Sequence, residues 1–108
     1  MTLAEVLINL NNIVDRYQNV PLIEVKDLSE ILRDLGCNIS YLVELRKEYY
    51  SKFQSVIFHS NGTSQAAKIK EAEWQVQELD EIRKILTHYG ELRKDIRSQI
   101  SLWKNDIT

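Results

Sequence analysis

Three short runs set an acid, an aliphatic residue and two adjacent cations in a row: residues 44–47, 81–84 and 91–94. Arginine and lysine in such density are the residue types that bind phosphate, so the runs raise the question of a nucleic-acid track. The same charges are also what solvated helix surfaces carry. Other candidates for chemistry are sparse. Cys37, His59 and His88 are too few and too widely spaced for a metal site, and no metal is expected. Carboxylates are plentiful but fall on amphipathic stretches, as Glu44 and Glu48 do beside Arg46 and Lys47. There they solvate and pair rather than form an enclosed acid. The three glycines make no phosphate-cradling loop. The expectation is a protein that is not an enzyme, with no cofactor and no small-molecule substrate.

These residues need elements to position them, and the chain of 108 residues has room for one domain, 1–108. A net charge of −2 argues against a wholly basic body, so any polyanion binding must come from a local patch. A single cysteine leaves no internal disulfide and fits a reducing compartment. No apolar run reaches the length of a membrane span and the start lacks a cationic leader. A cytoplasmic location is expected, including the cytoplasm of an infected host.

Strong punctuation occurs twice, around Pro21 and around Gly62, which predicts three helices at about 2–18, 25–59 and 64–106. The first opens on a capping box from Thr2 and Glu5. It keeps Val6, Leu7, Leu10, Ile13, Val14 and Tyr17 on one face, then stops before Pro21, whose ring pushes Val20 out of helical geometry. The second repeats Leu28, Leu35, Leu42, Tyr49 and Val56 every seven residues, a seam against another helix. Gly36 interrupts this seam and costs about 1 kcal/mol against alanine, yet a continuous or slightly kinked helix is expected. Asn61-Gly62 suits a left-handed turn, with Thr63 or Ser64 capping the next helix. The third segment carries Leu79, Ile82, Leu86, Tyr89, Ile96, Ile100 and Trp103 in alternating steps of three and four. Arg93 stands where an apolar residue is due, either fixing the register or reaching to the surface. The resulting fold class is all-α, a short N-terminal helix plus a long antiparallel, coiled-coil-like helical hairpin. So short and elongated a chain leaves apolar area for a partner, so a homo-oligomer built on the seam is expected.

On a helical wheel the copies at 81 and 91 point about 80° apart, so the repeat is not a structural row. Arg83, Lys94, Arg97 and Lys104 nevertheless share one sector of about 80° beside the seam, with most of the acids opposite. They either pair with a neighbouring helix or form a basic stripe for phosphates, the latter with Arg93. Most aromatics belong to the seams. Tyr50 and Trp74 fall off the main stripe and suggest a contact surface.

The stretch containing "YLVELRKEYYSKF", "HSNGTSQAAKIKEAE" and "VQELDEIRKILTHYGELRKDIRSQISLW" resembles the small two-long-helix proteins that phages encode among replication and recombination genes. In layout it is similar to the recombination mediator of T-even phages, an oligomeric helical protein that loads a recombinase onto single-stranded DNA. The resemblance covers about three quarters of the chain. It implies an oligomeric accessory of recombination that touches single-stranded DNA or its protein machinery through Arg83, Arg93, Lys94, Arg97 and Lys104. Small acidic helical inhibitors of host defence proteins, encoded by phages, look similar too, and for those a host protein would be the partner.

Overall fold

The computed structural model describes the backbone of residues 1–19 and 25–107 and the side chains of 1–18 and 26–102. Four helices succeed one another: α1 (Leu3–Asn19), α2 (Val25–His59), α3 (Gln65–Gln75) and α4 (Gln77–Ile107). Among the described residues all regular structure is helical. The molecule measures 63 × 25 × 18 Å, with α2 and α4 packed along each other as its long axis. The two run antiparallel: Gly36 of α2 meets Arg93 of α4, while Tyr50, further along α2, meets Arg83, nearer the start of α4.

The capping box at the start of α1 is present. The Thr2 amide donates to Glu5 Oε2 at 3.3 Å, and the Glu5 amide donates to Thr2 Oγ1 at 3.2 Å. These bonds satisfy amides that a helix start leaves open. Val6, Leu10 and Ile13 then bury the face of α1 that packs on the first half of α2. The expected stop at Val20 and Pro21 lies outside the described residues.

Helix α2 continues through Gly36 without a break. Its buried stripe is Leu28, Ile31, Leu35, Asn38, Leu42 and Leu45, in steps of three and four. Tyr49 and Val56, further along the seven-residue repeat, are half-buried. Leu79, Ile82, Tyr89, Ile96 and Ile100 of α4 are buried and Leu86 half-buried, so the described part of the stripe expected to join chains is filled by packing within one chain. Fully burying each such aliphatic side chain is worth about 1.5–3 kcal/mol.

Two expectations need correction. The turn between α2 and α3 uses no left-handed residue, since no positive φ occurs among the described residues. It is held instead by Ser60, whose hydroxyl donates to Glu71 Oε2 and accepts from the Gly62 amide at 3.1 Å. The turn is close-packed at Gly62, where a Cβ would stand 3.2 Å from the Lys68 backbone nitrogen and from its Cγ. Ser64 caps α3 by accepting from the Ala67 amide at 3.2 Å.

The second correction concerns the long third segment. It is broken at Val76, with φ −121° and ψ 61°, although neither proline nor glycine stands there. The Val76 amide still donates to the Ala72 carbonyl at 2.9 Å, so the helical path ends after that bond, where φ and ψ of Val76 both leave the helical range. A second helix, α4, starts at Gln77. The break lets α3 lean Ala72 into the molecule near the end of α2 while α4 follows the body of α2.

Candidate anion-binding surface

Besides a depression of about 690 Å³ at the Val76 break, where Glu73, Asp80 and Glu81 stand with Phe53, Arg83 and Lys84, two depressions lie along the groove between α2 and α4. On α2, their lining recurs as Ser29, Arg33, Gly36, Ser40, Val43, Lys47 and Tyr50, steps of three and four that place all seven on one face. The depression nearer the end of α2 is small, about 340 Å³, and is lined by Arg46, Lys47, Tyr50 and Arg83. Three cations and a phenol thus converge from two helices, and no carboxylate lines the depression. Lys47 reaches Glu44 at 3.5 Å, but both groups are mostly solvated, so the pair holds the lysine only weakly. The Tyr50 ring stacks on Phe53 with centroids 6.5 Å apart, which steadies an exposed aromatic face beside the cations.

The second depression, about 740 Å³, is centred on Gly36 and receives Arg93 from α4. The Arg93 guanidinium lies over Gly36, with Nη2 3.6 Å from where a Cβ would be. The interruption in the α2 seam and the arginine in the α4 seam are therefore one feature. Arg93 is half-buried, and its Nε is buried with no hydrogen-bond partner.

The remaining cations of the expected stripe are dispersed. Lys94 is exposed and 3.6 Å from Glu91, and Arg97 is exposed. The side chains of Lys104 and Trp103 lie outside the described residues. Trp74 is 70% exposed on α3 and lines neither depression, so it is not brought together with Tyr50. Arg46 and Lys47 join the site although the wheel for α4 could not reveal them. Their only advance signal was the run at 44–47.

Asn38 was also missed. It occupies a seam position of α2 at 9% exposure, where its Nδ2 donates to the Asp34 carbonyl at 2.9 Å. Its Oδ1 has no partner, and Asn9 and Asn12 of α1 line the same small hollow. Nearby, Arg16 of α1 bridges to Asp34 of α2 at 2.8 Å.

Cys37 and His59, both exposed on α2, are 22 residues apart, or about 33 Å along the helix axis. His59 packs edge-on against Phe58, and His88 against Tyr89. No group of three metal-ligating residues occurs among the described residues. Burial pushes the Tyr89 phenol above its ordinary pKa of 10.0. No helix among the described residues is long and apolar enough to cross a membrane. No protein-family model, curated protein or solved structure matches the chain.

Proposed function

We propose that the chain is a non-enzymatic helical binding protein, an oligomeric accessory of phage DNA recombination or replication. On this reading it holds single-stranded DNA on the groove between α2 and α4. The observation that carries the reading is the convergence of Arg46, Lys47, Tyr50 and Arg83 in one depression free of carboxylates. The cations would neutralise phosphates and the Tyr50 ring would offer a stacking face to a base, the two elements of sequence-tolerant single-strand binding. Assembly would use exposed apolar residues such as Ile8 and Leu102, since the α4 stripe is consumed within the chain.

The test is fluorescence anisotropy of a labelled oligothymidylate at low and moderate salt. Binding should weaken steeply with salt, by a slope of about 0.7 per phosphate contact, and Arg46→Gln with Arg83→Gln should flatten that slope. Absence of binding at low salt would sink the reading. A second reading, a phage-encoded inhibitor or adaptor that docks on a host protein without DNA, is favoured by one observation. Phe58 of α2 and Trp74 of α3 are 83% and 70% exposed, and large aromatics held out in solvent suit a protein interface. Light-scattering mass with and without DNA, followed by Trp74→Ala in a host-protein binding assay, separates the two.

A further inference from the structure

The hollow over Gly36 has a lining that the first depression does not explain. Arg93 and Arg33 both face it, with Ser29 and Ser40 on its rim and Glu44 as its one carboxylate. Glu44 lies toward Lys47, at 3.5 Å, and no ion pair joins it to either arginine. The Arg93 Nε is buried without an acceptor, an unfavourable condition for a charged group. An oxyanion entering the hollow would draw the guanidinium toward its mouth and end that condition. On the α4 side the hollow is lined by Arg93 alone.

We propose that this hollow is a phosphate-group site with Arg93 and Arg33 as its ligands, and that it extends the depression at Arg46, Lys47, Tyr50 and Arg83. The second clause rests on the nucleic-acid reading above. Arg83 and Arg93 are ten residues apart on α4, about 15 Å along the axis, and Arg33 and Arg46 about 20 Å on α2. Both depressions open on the same face of α2, so one flexible strand can lie in the groove and meet both. Axes of packed helices are about 8–10 Å apart, which suits a single strand seated between them better than a duplex. An acidic peptide is disfavoured because Tyr50 offers a stacking ring where such a peptide needs none.

The test reads the Nε–H signals of the arginines by nitrogen NMR on the full chain. Arg93→Lys and Arg83→Lys assign them and keep the charge. Tripolyphosphate and a ten-residue oligothymidylate are titrated separately, with an oligoglutamate peptide as the third arm. Both phosphate probes should shift the Arg93 signal, and Arg33→Gln, which leaves Arg93 in place, should reduce that shift. The salt slope for the oligonucleotide should then fall by about 0.7 for the lost contact. A shift with tripolyphosphate alone supports the phosphate site while the nucleic-acid reading falls. Oligothymidylate that moves Arg83 and leaves Arg93 unmoved overturns the site and spares that reading. No shift with either phosphate probe, or a larger one with oligoglutamate, also overturns it.

Discussion

The two ends of the molecule use apolar residues in opposite ways. The body, where α1 and the later part of α4 flank α2, buries Val6, Leu10, Leu35, Leu42 and Ile96 completely. The turn end, built from the last part of α2 with α3, has Ala72 as the single buried residue of α3 and leaves Phe58 and Trp74 out in solvent. Packing in the body is therefore the source of most stability, and the turn end is free to display side chains. The groove runs along the body, so its cations are mounted on the well-packed part, while Phe58 and Trp74 project from the part that contributes least to the core.

This contrast can be broken by substitution. Leu42→Ala should cost about 2–5 kcal/mol in urea unfolding, whereas Trp74→Ala should cost less than about 0.5 kcal/mol. Equal losses would mean that the turn end is as well packed as the body. Ser64→Ala removes the cap of α3 and should cost about 1 kcal/mol of helix stability. A smaller loss in global unfolding than in local amide exchange of α3 would show that this helix opens separately. In the body, Gly90→Ala should raise stability by about 0.5–1 kcal/mol, since its φ is not positive and the space above it is open. Gly36→Ala should do likewise if Arg93 keeps its place, and a loss there would show that the guanidinium needs closer contact with the α2 backbone than 3.6 Å implies. The smallest effect is alkaline. Because the folded phenol of Tyr89 titrates above 10.0, the unfolded one ionises first, so stability holds below pH 10.0 and declines as pH rises through the folded value. Tyr89→Phe should flatten melting temperature against pH in that window.

Local signals were legible in the sequence and long-range ones were not. The capping box at Thr2 and Glu5, the extent of α2 and a cap at Thr63 or Ser64 depend on residues within a few positions of each other, and the pattern alone narrows them that far. The buried stripe of α4 is set by its three-and-four spacing. Asn38 escaped notice because an asparagine at a seam position looks like any polar residue until α1 covers it. The break at Val76 left no trace, since the apolar spacing Ala72, Val76, Leu79, Ile82 suits one unbroken helix. What ends it is a backbone conformation at Val76 that local propensity does not favour. For the site, Arg83 and Tyr50 were named from separate wheels, but their meeting with Arg46 and Lys47 depends on the register of α2 against α4. The same register turns Gly36 and Arg93, two unrelated oddities along the chain, into a single contact.

The elongated outline has a practical consequence for how the molecule moves through solution. Its radius of gyration is 18.5 Å, against about 13 Å for a compact chain of this length. A rod of these proportions tumbles and diffuses slowly for its weight, and a sizing column would elute one copy where a globular dimer belongs. Elution volume is therefore a poor count of subunits for this protein, and sedimentation equilibrium or scattered light, which weigh particles without regard to shape, are the measurements that tell one chain from two.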